Sequence, residues 1–90
     1  MNITFTDLAE YLTHGREIEF AYKSRQYSIT NHSGFWHFCD DTDNILLETI
    51  CPFDDKEALV SKTALFVIDG HTIQQIFDSQ LYDSESLCII

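Results

Sequence analysis

The side chains of this chain that could do chemistry lie close together. The stretch "GFWHFCDDTDNILLETICPFDD", residues 34–55, holds a histidine, two cysteines and five aspartates within 22 residues. Three chemistries use such groups: hard-cation binding by carboxylates, zinc binding by His and Cys, and thiolate attack. The spacing satisfies none of them. Asp40, Asp41 and Asp43 look like the opening of a calcium loop. Counted from Asp41, however, the fifth position is Ile45; counted from Asp40, the third is Thr42; neither frame has the glycine that makes the sharp turn. The plainer reading is a hairpin loop whose short polar side chains bond local backbone.

His37 and Cys39, two apart, would share a strand face, and His32 or Cys51 could approach them. Structural zinc sites use two ligand pairs, and no second pair is present. Cys39, Cys51 and Cys88 lack basic neighbours that would favour a thiolate, and the surrounding negative charge opposes it. There is no nucleophile elbow, no phosphate-cradling glycine loop and no H-E-x-x-H. The adjacent pairs Asp40/Asp41 and Asp54/Asp55 read as solvated or helix-capping acids. The expectation is a non-enzymatic chain with no catalytic residue, no metal and no cofactor; a small metal- or thiol-dependent enzyme, with an ion held by His37 and Cys39, is the minority reading.

What remains is charge and surface. Fifteen acids against five Lys and Arg leave a formal net charge of −10. The excess is uneven, −1 over residues 1–39 and −9 over residues 40–90. Such a surface repels phosphate backbones and anionic headgroups, so neither direct nucleic-acid binding nor membrane binding is expected. A basic protein partner would be steered in. The residues expected at that contact are Asp40, Asp41, Asp43, Asp54, Asp55 and Glu57, with Phe35 from the aromatic set Tyr22, Tyr27, Phe35, Trp36 and Phe38 beside them. An aromatic patch bordered by charge is the composition of a protein-binding face, although most of these rings should pack into the core.

The elements that would position these residues follow from pattern. Ninety residues with 44% hydrophobic content make one α+β domain, 1–90. Residues 3–14 read as a helix capped by Thr6, with Leu8, Tyr11 and Leu12 on one stripe and Gly15 as its stop. "REIEFAYK", "QYSIT", "FWHFCD" and "ILLETI" read as a three- to four-stranded antiparallel meander, Ile18, Phe20, Tyr22, Trp36 and Phe38 facing inward. Its first turn is expected at Ser24-Arg25. Asp54 and Glu57 predict the start of a second helix running to about Lys62, and "ALFVIDG" is either a short buried strand or a continuation of that helix, its β-branched residues and Asp-Gly turn favouring strand. Thr72 and Gln75 form a capping-box pattern opening a third helix, with Ile73, Ile76, Phe77 and Leu81 on its apolar face. The apolar end "SLCII" should dock on the core, on a sheet edge or on a second subunit, and a homodimer is therefore the alternative reading of the chain. Two or three helices packed on a small meander is the expected architecture.

The pieces "GREIEFAY…YSITN" at 15–31 and "VIDGHTIQQIF" at 67–77 resemble segments of small, acidic, functionally uncharacterised proteins of Gram-positive bacteria and their mobile elements. The resemblance spans most of the chain and brings no functional residue with it. In size and acidity the chain is also similar to phage-encoded inhibitors, including nucleic-acid mimics and CRISPR inhibitors, and to immunity proteins that neutralise basic toxins. That likeness implies an inhibitor or regulator of a basic protein. An odd number of cysteines, no signal-peptide pattern and no apolar run of membrane-spanning length lead to the expectation of a cytoplasmic protein with reduced thiols.

Overall fold

The computed structural model describes residues Met1–Ile90 and shows an α+β domain. Helix α1 (Phe5–Thr13) is followed by strands β1 (Ile18–Tyr22), β2 (Arg25–His32), β3 (Phe35–Asp40) and β4 (Ile45–Pro52), which form an antiparallel meander. Helix α2 (Lys56–Leu65), a small hairpin of β5 (Val67–Ile68) and β6 (His71–Thr72), helix α3 (Ile73–Asp78) and strand β7 (Asp83–Ile89) complete the chain. The main sheet has five strands in the order β4-β3-β2-β1-β7, one more than the expected meander, because β7 pairs antiparallel with β1. The apolar C-terminal segment thus docks on a sheet edge.

Alternation sorts the sheet into two faces. Ile18, Phe20, Tyr22, Tyr27, Ile29, Trp36 and Phe38 are buried on one side, where they pack with Leu8 and Leu12 of α1, Leu59 of α2 and Ile73, Ile76 and Phe77 of α3. Trp36 is fully enclosed; its indole stacks on Phe53 at 5.7 Å and donates from Nε1 to the Phe53 carbonyl at 3.1 Å. Burial of that many large apolar side chains supplies the driving force that propensity alone could not. Of the aromatic set named for a contact face, only Phe35 is exposed; Tyr22, Tyr27, Trp36 and Phe38 belong to the core.

Turns and caps differ from the sequence expectation by a residue or two, for identifiable reasons. The N-cap of α1 is Thr4 rather than Thr6: the Thr4 hydroxyl accepts from the Asp7 N–H while the Asp7 carboxylate accepts from the Thr4 N–H. Only Thr4 has an acid at the third helical position, so only Thr4 can close a capping box. The helix stops as expected: Gly15 takes φ +81°, its N–H bonds the Leu12 carbonyl, and the Arg16 N–H reaches back to that of Tyr11. This is the Schellman pattern, which glycine adopts at least cost.

The first hairpin turns on Lys23-Ser24, both at positive φ, not on Ser24-Arg25; Arg25 already belongs to β2 and pairs with Tyr22. A turn after Pro52, in which the Asp55 N–H bonds the Pro52 carbonyl, uses up Asp54, so Asp55 becomes the N-cap of α2 and accepts from the Ala58 N–H at 3.1 Å. Helix α2 extends to Leu65, which shortens the expected strand "ALFVIDG" to Val67–Ile68. The Thr72–Gln75 capping box is present, but Leu81 lies beyond α3 and is 43% exposed instead of sharing its apolar face.

Candidate functional site

The six acids expected at a partner contact do not form one cluster. Asp41 and Asp43 lie in the loop between β3 and β4, whereas Asp54, Asp55 and Glu57 lie in the turn and first helical residues after β4. All five are exposed. The two groups sit at opposite ends of an eight-residue strand, separated by roughly 25 Å of extended chain. Phe35, 44% exposed, pairs with Pro52 and so marks the Asp54 end.

Asp40 is not exposed with the other five. Strand alternation turns it to the same side as Trp36 and Phe38, and it is only 7% exposed. Its Oδ2 accepts from Arg25 Nη2 at 2.7 Å and Nε at 3.2 Å, and its Oδ1 accepts the N–H groups of Thr42 and Asp43 at 3.0 and 3.2 Å. The Arg25 hydrogen bonds hold the Asp40 carboxyl below the usual carboxylate range, and the pairing in turn raises the guanidinium. Arg25 also bonds Asp43, so a single cation ties the loop to the end of the hairpin. Asp40 builds the platform from which Asp41 projects.

Each Lys and Arg of the chain has an intramolecular partner. Lys23 pairs with Asp69 at 2.7 Å and Arg25 with Asp40 and Asp43. Arg16 Nε donates to the Ile90 carbonyl at 2.9 Å, and Lys62 Nζ to that of Ile50 at 3.2 Å. The Lys56 ammonium sits 4.0 Å from the centre of the Phe53 ring and 5.2 Å from that of Trp36. Asp41, Asp54, Asp55 and Glu57 are left with no basic side chain at ion-pair distance.

Between the two acidic ends runs the feature that sequence reading missed. Ile45, Leu46 and Leu47 are exposed at 47%, 54% and 42%, followed by exposed Glu48 and Thr49, on a strand that forms one edge of the sheet. A run of apolar residues normally signals a strand buried on both faces, which is why "ILLETI" gave no warning of exposure. Two bulges add to the effect, because Leu47 and Ile50 are extra residues without a partner on β3.

Beside Leu46, on the sheet face opposite the core, a hollow of about 250 Å³ is lined by His32, His37, Cys39, Asp41, Asn44, Ile45 and Leu46. The His32 and His37 rings stack at 4.2 Å, and both ring nitrogens of His37 are buried without a hydrogen-bond partner. No group of three or more His, Cys, Asp or Glu residues is arranged to hold a metal ion. Burial, reinforced by Asp41, pushes the Cys39 thiol up; burial and Asp55 do the same for Cys51. A raised thiol is protonated at neutral pH and a poor nucleophile. A larger open groove of about 640 Å³ runs along α1 between Met1, Tyr11, His14 and Arg16.

No family model, curated protein or solved structure matches this chain. No helix is long and apolar enough to cross a membrane.

Proposed function

We propose that this protein is a non-catalytic acidic interaction module that binds a basic protein and inhibits or regulates it, working in the cytoplasm with its three thiols reduced. One observation carries the reading. Every cation of the chain is engaged within the molecule, while Asp41, Asp54, Asp55 and Glu57 project unpaired from both ends of an exposed apolar strand. Asp55 caps α2 and Asp41 accepts from Ser28 Oγ, but as charges these exposed carboxylates have no counter-ion and repel one another. They act at a distance on a basic partner, raising its encounter rate. The same field disfavours nucleic acid as a direct ligand.

The test is capture from host-cell lysate at low and at high ionic strength, using the native chain and a variant carrying Asp41→Asn, Asp54→Asn and Glu57→Gln. The native chain should retain a protein of basic isoelectric point that is released as salt rises, and the variant should retain much less of it. Recovery of acidic partners, or of a complex indifferent to salt and to the substitutions, would overturn the reading.

A further inference from the structure

The two edges of the five-stranded sheet are unlike each other. At β7, Asp83 and Glu85 are exposed along the strand, and the Met1 amino group donates to the Ser84 carbonyl at 3.1 Å, so charge and chain both guard that edge. At β4 the guard over Ile45–Thr49 is thinner, a single charged side chain, Glu48, and the bulge at Leu47. Outside the ladder with β3, no backbone hydrogen bond reaches these residues, and three of the five carry exposed apolar side chains. The open stretch is bounded at its far end, where Lys62 occupies the Ile50 carbonyl.

We infer that the β4 edge is the docking site of an extended segment of the partner, added as a sixth strand, whose apolar centre covers Leu46 and Leu47 and whose flanks carry Lys or Arg. The inference rests on the proposed acidic-module reading and names the surface it uses. Charge selects the occupant. A segment lying along β4 has Asp41 and Asp43 at one end, Asp54 and Glu57 at the other, and Glu48 between them, so cations on its flanks meet carboxylates wherever it runs in either direction. A second copy of this chain is the poorer occupant. Edge-to-edge pairing about a twofold axis is antiparallel, and it would bring the Asp41–Asp43 loop of one copy beside the Asp54–Glu57 turn of the other. The bulges at Leu47 and Ile50 also shorten the regular template, which suits a short segment better than sheet-to-sheet stacking. The hollow beside Leu46 offers a place for one basic side chain, its stem along Ile45 and Leu46 and its charge toward Asp41.

The experiment uses three synthetic peptides: a valine-rich extended sequence with arginines at both ends, the same sequence with glutamates in place of arginines, and the arginine peptide N-methylated at every valine, so that neither of its edges keeps a backbone donor. N-methylation preserves charge and removes the ability to pair along a strand. The arginine peptide should bind and slow amide hydrogen exchange across Ile45–Thr49; the glutamate peptide should not bind. N-methylation, or Leu46→Lys in the protein, should weaken binding by about tenfold or more. Salt-sensitive binding of the arginine peptide that N-methylation leaves unchanged would overturn strand addition while leaving the acidic-module reading standing. Equal binding of the arginine and glutamate peptides would overturn both. Protection of Ile45–Thr49 without peptide, together with a dimer in sedimentation, would assign the edge to a second copy instead.

Discussion

Asp40 shows how one carboxylate can be read two ways from its letter and only one way from its position. In the string "CDDTD" it is one acid among three; on the strand it is the last inward residue, and its two oxygens serve different masters, Oδ2 the Arg25 guanidinium and Oδ1 the loop amides. Because its folded-state pKa is depressed, the unfolded chain binds its proton more readily than the native chain does. The stabilisation is therefore complete above the ordinary Asp value of about 3.9 and is lost as pH falls from there through the lower folded value. Asp40→Asn keeps an oxygen for the Thr42 and Asp43 amides and removes the charge that faces Arg25. Urea midpoints of the native chain and Asp40→Asn should differ most near neutral pH and converge in acid below the carboxylate range. A gap that stays constant down to strongly acidic pH would show that the Arg25 contact is not what stabilises the loop.

Among the elements, the first helix separates what pattern shows from what geometry decides. The pattern in "TFTDLAEYL" points to Thr6 as the cap, and the apolar stripe Leu8–Leu12 does not distinguish it from Thr4. The reciprocal bond with Asp7 selects Thr4 and brings Phe5 into the helix as a buried residue. Thr4→Ala should cost about 1 kcal/mol of stability, whereas Thr6→Ala, at an exposed site already inside the helix, should cost a few tenths at most. Thermal denaturation of the two variants distinguishes the caps, and equal losses would remove the distinction.

The inward strand residues were legible because period-two alternation is a strong constraint once one face is buried. The β4 edge was not, since exposure of an apolar run depends on which strand ends up outermost, and that is decided by the pairing of β7 with β1 some distance away. The acidity was legible as a composition and not as a place: Asp40 to Glu57 are close in sequence, yet extended chain carries them to opposite ends of β4.

At the scale of the whole molecule, the chain combines a conventional interior with a one-sided surface. Its 19-residue apolar cluster draws on every helix and on both halves of the sequence, so the net charge of −10 is carried by a molecule held together mainly by apolar burial. The placement of β7 has a consequence in time. Strands β1 to β4 are joined by tight turns, but the bond from the Ala21 N–H to Ser86 Oγ, 2.7 Å long, links residues 65 positions apart. Closing so long a loop before other contacts form is entropically unfavourable, so the fourfold meander and the helices that cover it should assemble ahead of the last strand. Stopped-flow measurements on two variants read that order directly: Ile29→Val, in the middle of the meander, should slow folding, whereas Ser86→Ala should leave the folding rate nearly unchanged and accelerate unfolding. The last strand would then act as the latch of the fold, setting how long the native state persists more than how quickly it is reached.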